Sequence, residues 1–310
     1  MWRDLEHDVR DDDRDRPEGS RSGRAGPDLS DGGSRDPRDV FARDLDLPRG
    51  RSRERVHLHA RTYELHGAEV RTLATVGAFR VVPDADLRDR KEGGPRDLRH
   101  LQELGLVRTV PYVIGKTRTK LVTLTERGRD VLEDARRGPD RESGQAFYAG
   151  IAKPRELAHD AHLYRAYMKS ADRLVDRGAR IRRVVLEEEL KREYQRFLQA
   201  SNRQRRDSDG RPDRRAEEIA EWARTHQLPM VDDHVQFPDV RIEYDERDGR
   251  RAIEDVEVMT PHYRGAHAAA KGSAGFSCYR AVGARLGGAS GSSRSGGRGF
   301  DPRVAEEILE

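Results

Sequence analysis

Three acidic residues in the second half of the chain have the side chains that a divalent cation needs. Asp239 stands at the start of one strand-like run, and Asp255 and Glu257 lie in the next such run. Mg²⁺ takes oxygen ligands and is often held by one or two carboxylates together with phosphate oxygens. The sequence therefore predicts a metal site at Asp239, Asp255 and Glu257, and the alternative is a solvated acidic face of a hairpin.

A β-hairpin is the element that would position these acids. Residues 237–244 and 252–259 alternate in side-chain character with a period near two, which sends successive residues of a strand to opposite faces. The Asp-Gly pair at 248–249 is a strong hairpin-turn signal. On the second strand, Asp255 and Glu257 would share one face.

The composition of the chain sets wide bounds on its function. The chain has 310 residues, 38% of them charged, and a formal net charge of +3, which permits binding to a polyanion without requiring it. Cys278 is the only cysteine, so an intrachain disulfide and a thiolate-rich zinc site are excluded. No stretch approaches the roughly 20 apolar residues of a membrane helix, and the start of the chain lacks the apolar core of a secretory signal. We expect a cytoplasmic protein without membrane contact.

Residues 1–54 form a segment rich in Arg, Asp, Gly, Ser and Pro, with few apolar residues. Such a segment buries too little surface to offset the entropy of ordering it. The sequence predicts that this charged tail is disordered.

Residues 55–138 show the order of a winged helix-turn-helix domain. The pattern predicts a helix at 67–79, a short helix from Asp84, a third helix opened by Pro95, strands at 106–114 and 120–125, and a closing helix at 126–135. The run LRHLQELGLV…LVTLTERGRDVL resembles that superfamily.

Basic side chains on this domain predict DNA binding. The third helix could enter a major groove, and the hairpin could neutralise phosphates. The candidate residues are Arg96, Arg99 and His100 on the helix, and Lys116, Arg118 and Lys120 on the hairpin. The alternative is a solvated basic face on a winged helix that binds protein.

The rest of the chain predicts a second, α/β domain at residues 150–285. Its elements are an amphipathic helix at 154–177, a strand at 179–186, a helix opened by three glutamates at 187–189, a helix at 216–225 and the acidic hairpin. His159 and His162 lie three apart on the first helix, where packing is favoured over a zinc role. Residues 286–310 read as a Gly/Ser-rich linker and a short terminal helix.

The chain resembles the replication-relaxation proteins of bacterial plasmids and integrative elements. The resemblance rests on the winged helix, on RVVLEEELKREY, on FPDVRIEYDERDGR and on DVEVMTPHYRGAHAAAKGSAGFSCYR, and it covers roughly residues 55–285. It implies an α+β protein in which the winged helix-turn-helix precedes a restriction-endonuclease-like domain of the PD-(D/E)xK type.

The resemblance also implies roles for particular residues. Pro238-Asp239 matches the PD element, whereas Glu257 stands where that motif has lysine. Lys271 could supply the displaced positive charge as a catalytic residue, or it could be a surface lysine. Glu188 is a candidate for the additional acid of such folds.

Two classes of function follow from these features. The first is a DNA-binding protein of a mobile element, acting in replication, transfer or regulation, whose nuclease-like domain does not cleave. The second is a nicking or cleaving enzyme that uses Mg²⁺ held by Asp239, Asp255 and Glu257. A relaxase with Tyr263 or Tyr279 as nucleophile is a weaker enzymatic alternative. DNA is the expected partner, and a homodimer remains open.

Overall fold

The computed structural model describes residues 36–58, 61–88, 94–114, 117–137, 144–151, 156–200, 214–260 and 271–281. All of them belong to one compact unit, which spans Arg35–Glu310. The unit is a mixed α and β structure with several sheets, as the sequence predicts. None of the helices in these ranges is long and apolar enough to cross a membrane.

In the first half of the unit, residues 67–134 follow the predicted order of helix, helix, helix, hairpin, helix, and a short helix and a β-hairpin precede them. Its elements are α1 Asp39–Ala42, β1 Glu54–Leu58, β2 Arg61–Leu65, α2 Gly67–Phe79, β3 Val82–Pro83, α3 Asp84–Arg88, α4 Pro95–Glu103, β4 Val107–Ile114, β5 Thr117–Leu124 and α5 Glu126–Asp134. Strands β3, β5 and β4 form an antiparallel sheet in that order, and β1 pairs with β2. The β1–β2 hairpin was not predicted from the sequence.

Local chemistry explains where these helices begin. His66 caps α2 through its side chain, and Glu69 returns a bond to the His66 backbone N–H, so two free donors at the helix start are satisfied. Pro95 occupies the first turn of α4, where a missing N–H costs nothing. Thr125 caps α5, and Gly128 is required there because a Cβ would lie 2.1 Å from the Leu106 carbonyl oxygen.

The second half is built on a four-stranded sheet. Its elements are α6 Leu157–Asp176, β6 Arg180–Leu186, α7 Glu187–Leu198, α8 Ala216–Thr225, β7 Met230–Val231, β8 His234–Val235, β9 Val240–Asp245, β10 Arg251–Met259 and β11 Ser277–Arg280. The strand order is β11-β10-β9-β6, with β11 parallel to β10 and the other pairs antiparallel. The predicted hairpin is present as β9 and β10, and Gly249 adopts a φ of 83° in its turn.

One face of this sheet packs on α6, and the other carries α7 and α8. Ser170 of α6 hydrogen-bonds with Tyr279 of β11 at 2.6 Å on the first face. On the second face, Val185 belongs to a separate apolar cluster with Leu190, Trp222, Leu228 and Phe237. The predicted acids of β10 lie on the second face.

The prediction that residues 1–54 are disordered is wrong for residues 36–54. Phe41 is only 1% exposed and packs against Phe79 of α2 and Tyr167 of α6, with ring centroids 5.5 and 5.3 Å apart. These apolar partners lie far along the chain, so the composition of the local segment does not report the burial they provide. Residues 1–35 and 282–310 lie outside the described residues, as does the predicted terminal helix.

The two halves share one hydrophobic core. Its buried residues include Leu73 and Leu124 from the first half and Tyr167 and Val240 from the second. The segment at 144–151 joins them as well, because Gln145 hydrogen-bonds with the backbone of Val184 at 2.9 and 3.1 Å. Residues 144–151 are therefore a packed connection between the two halves.

Candidate functional site

The predicted acids belong to the two central strands of the larger sheet, since Asp239 immediately precedes β9 and Asp255 and Glu257 lie in β10. Asp255 pairs in register with Arg241, and Glu257 pairs with Cys278 of β11. Because cross-strand partners point to the same side, Asp255, Glu257, Arg241 and Cys278 share one face. The prediction that Asp255 and Glu257 share one face of the strand is confirmed.

Asp239 is a buried carboxylate with two close partners. Its Oδ2 accepts a hydrogen bond from the Val258 N–H at 2.7 Å and lies 3.1 Å from His159 Nε2. Burial raises the pKa of Asp239, but the bond and charge of His159, the charge of Lys271 and the Val258 N–H together hold that pKa below its ordinary value. Asp239 is thus ionised and already compensated.

His159 is the partner that the sequence reasoning missed. Burial lowers the pKa of its imidazole, but hydrogen bonds to Asp160 and Asp239 and the charges of those carboxylates outweigh it and raise the pKa to about 10. His159 is therefore protonated at neutral pH. Nothing in the spacing of the sequence connects residue 159 with residue 239. His162, one turn on, has a pKa lowered to about 4 by burial and by the charges of Arg165 and His159.

Lys271 and Glu257 form a buried ion pair. Lys271 Nζ lies 2.8 Å from Glu257 Oε2 and also donates to the Phe237 carbonyl oxygen. The side chains are 4% and 2% exposed, which excludes the surface alternative for Lys271. A positive charge thus stands beside Glu257, the residue at the lysine position of the resembled motif.

Asp255 is engaged by an arginine. Arg241 donates to both of its carboxylate oxygens, at 2.7 and 2.8 Å, and also to the carbonyl oxygens of His226 and Gln227 at the end of α8. This bidentate ion pair holds Asp255 against Arg241, its cross-strand partner on β9.

The three acids as placed do not suit one shared ion. Over the described ranges, a group of three residues whose ligand atoms all lie within 4.8 Å of one another occurs at His66, Glu69 and Asp97, and not at the three acids. Asp239 faces His159, Glu257 faces Lys271, and Asp255 faces Arg241. A shared Mg²⁺ remains a prediction, and it would require these pairs to open.

Two other candidates occupy places that differ from the sequence-based choices. Of the three adjacent glutamates, Glu187 lies beside the Glu257–Lys271 pair, 3.7 Å from Lys271 Nζ. Glu188 instead pairs with Arg80 and Arg192. Tyr279 is buried on the opposite face of the sheet, with its hydroxyl against Ser170, so it is not placed to attack a phosphate. Tyr263 lies outside the described residues.

The basic residues of the first half lie mostly at the surface. Arg96 and Arg99 are exposed on α4, with Leu98 and Leu101 buried beneath them. On β5, Arg118 and Lys120 are also exposed. Among the described residues these four basic side chains have no acidic partner. Lys116 lies outside those residues.

His100 differs from the other predicted DNA contacts. Its Nδ1 lies 2.7 Å from Glu69 Oε1, so the ring faces α2 across the helix pair. Glu69 is fully buried and also receives the Arg53 guanidinium at 2.7 Å. His100 is thus engaged inside the fold and is less available to a partner than Arg96 or Arg99.

Comparison of the chain with known proteins finds no match. No protein-family model matches the chain, and neither the curated proteins nor the solved structures contain a match to it.

Proposed function

We propose that the chain binds duplex DNA through α4 and the β4–β5 hairpin, acting as a winged helix-turn-helix. The observation that carries this proposal is the set of exposed basic side chains, Arg96 and Arg99 on α4 and Arg118 and Lys120 on β5, that lack an acidic partner in the described parts of the chain. Other exposed arginines, such as Arg224 and Arg250, are paired with acids. Unpaired cations at a surface are what a phosphate backbone binds.

The arrangement of the helices supports the same role. A recognition helix needs an apolar side that docks on the domain and a polar side that faces the groove. α4 has both, since Leu98 and Leu101 are buried and Arg96 and Arg99 are exposed. The hairpin follows directly, and Gln102 ties α4 to Thr109 of β4 through a 3.0 Å hydrogen bond.

The biological setting in this proposal comes from the resemblance to replication-relaxation proteins. The protein would act in the replication, transfer or regulation of a plasmid or integrative element. Its larger sheet would support folding and partner contact without cleaving DNA, because the acids of the nuclease-like motif already have compensating cations.

A fluorescence anisotropy titration with duplex DNA at 50 to 200 mM salt tests the proposal. The double variant Arg96→Ala/Arg99→Ala should bind at least tenfold more weakly at low salt, and the slope of log affinity against log salt should fall by about 2, since each lost phosphate contact removes about 0.9. The control is Arg224→Ala/Arg250→Ala, which removes the same charge from exposed positions of the second half. If the two double variants bind alike, the recognition helix has been misassigned.

A nicking activity is the second candidate function. The observation that favours it is a buried lysine beside Glu257 and within electrostatic range of Asp239. Incubation of supercoiled DNA with Mg²⁺ or Mn²⁺ separates the two candidates. Intact DNA supports binding without cleavage, and nicking that Asp239→Asn abolishes would establish the enzyme.

A further inference from the structure

A cluster of histidine and carboxylate side chains joins the first turns of α2 and α4. Its members are His66, Glu69 and Asp97, with one ligand atom from each lying within 4.8 Å of the other two. The cluster belongs to the first half of the chain, whereas the acids of the larger sheet belong to the second. The DNA binding proposed above does not involve its three side chains.

The separations within the cluster suit a small ion. His66 Nε2 lies 3.3 Å from Asp97 Oδ1 and 3.6 Å from Glu69 Oε1. Ligands at about 2.0–2.2 Å from a tetrahedral zinc ion stand roughly 3.3 Å apart. The histidine nitrogen therefore already lies at nearly the spacing that such an ion imposes from each of the two carboxylates.

The donor set indicates the class of metal. A nitrogen ligand with two carboxylates suits Zn²⁺ and related transition metals, whereas Mg²⁺ prefers oxygen ligands and retained water. We propose that His66, Glu69 and Asp97 form a three-residue site for a divalent transition metal, of which Zn²⁺ is the representative.

The surroundings of Glu69 fit the role of a metal ligand. The carboxylate is fully buried, its Oε2 accepts from the His66 backbone N–H at 3.1 Å, and His100 Nδ1 lies 2.7 Å from its Oε1. Such outer contacts orient a ligand and fix its position before the metal arrives. His100 thus acts as a positioning residue for Glu69.

Without a metal, the Arg53 guanidinium occupies the Glu69 carboxylate and would compete with an ion for it. Arg53 places its guanidinium 2.7 Å from Glu69 Oε1 and is 43% exposed, so it can swing outward. His66 Nδ1 accepts from the Ala68 N–H at 3.3 Å, and that long bond is given up when the ring proton moves to Nδ1 and leaves Nε2 for the metal. Arg53 therefore holds the place of the cation.

Calorimetric titration of chelator-treated protein with Zn²⁺ tests the inference without DNA. Wild-type protein should show one tight equivalent, whose affinity falls at least tenfold in Asp97→Asn and in His66→Asn, a change that keeps a side chain able to cap α2. Glu103→Gln and His57→Asn, at exposed acid and histidine positions of the first half, are the matched controls and should bind like wild type. Equal affinity in Asp97→Asn and wild type overturns the proposal.

Two further measurements use variants and ions that leave the proposed ligands in place. Arg53→Gln removes the competing guanidinium and should tighten Zn²⁺ binding; weaker binding would rule out Glu69 Oε1 as a ligand. Mg²⁺ at the same concentration should not displace Zn²⁺, and displacement would overturn the assigned class of metal. Thermal unfolding with a chelator verifies that each variant is folded.

Discussion

The two groups of charged residues predicted to be functional, the acids of the larger sheet and the basic residues of α4 and β5, are compensated differently. On the larger sheet, three acids of the predicted site each have their own cation: Asp239 has His159, Glu257 has Lys271, and Asp255 has Arg241. On α4 and β5, exposed basic side chains in the described ranges stand without acids. Charges compensated within the fold contribute to its stability, whereas uncompensated charges at the surface are available to a partner.

The largest expected effect comes from breaking the buried ion pair between Lys271 and Glu257. Lys271→Met removes the lysine partner of a Glu257 carboxylate that is 2% exposed, and breaking a buried pair costs about 3–5 kcal/mol of unfolding free energy. Denaturant unfolding measures it. The control Lys191→Met, which removes an exposed partner of Glu187, should cost about 0.5 kcal/mol or less.

A second substitution sharpens this result. Adding Glu257→Gln to Lys271→Met removes the buried carboxylate charge and should restore part of the lost stability. A double variant as unstable as Lys271→Met would mean that the loss comes from packing and the Phe237 contact.

The pH dependence of stability tests the His159–Asp239 pair. Because the folded pKa of His159, about 10, lies above its unfolded value, its stabilising effect is complete below about pH 6.5 and is lost as the pH rises through 10. We expect a loss of about 2 kcal/mol between pH 6 and pH 10, reduced from the full shift because the side chain is 29% exposed.

The matched variant for this prediction is His159→Gln, which keeps a hydrogen-bond donor but cannot titrate. Its unfolding free energy should change less than that of the wild type across the same pH range. Parallel curves for the two proteins would show that His159 does not carry the charge. Asp239, whose folded pKa is lowered, acts in the other direction and loses its contribution as the pH falls through the acid range.

The smallest expected effect concerns the hairpin. Arg118→Ala/Lys120→Ala should weaken DNA binding by about tenfold, or about 1.4 kcal/mol, without altering the unfolding free energy, because both side chains are exposed. Anisotropy and denaturant unfolding of the same preparation measure the two effects. A loss of stability with unchanged DNA affinity would mean that Arg118 and Lys120 support the fold and do not contact DNA.

The sequence predicted the parts of the fold that depend on local pattern. Alternation along residues 252–259 and the Asp-Gly turn gave the hairpin and the shared face of Asp255 and Glu257. The Arg241–Asp255 pair follows from the register of that hairpin and could have been read from it. Contacts that depend on packing between distant segments, such as His159 with Asp239, have no signal in one sequence.

The same distinction explains the error in the tail. Phe41 sits in a segment whose composition is charged, and only the folded chain supplies Phe79 and Tyr167 around it. A single apolar residue in a polar segment is weak information when its partners lie in other elements. Burial there is a property of the whole fold.

The aromatic cluster of Phe41, Phe79 and Tyr167 has a consequence for the integrity of the fold. It links three separate stretches of the chain, with Phe79 and Tyr167 ring centroids 5.2 Å apart. A protein severed at residue 144 would bare Phe79 on one fragment and Tyr167 on the other, so we expect the fragments to aggregate unless they are produced together. In the intact chain the basic helix α4 and the larger sheet belong to the same packed unit.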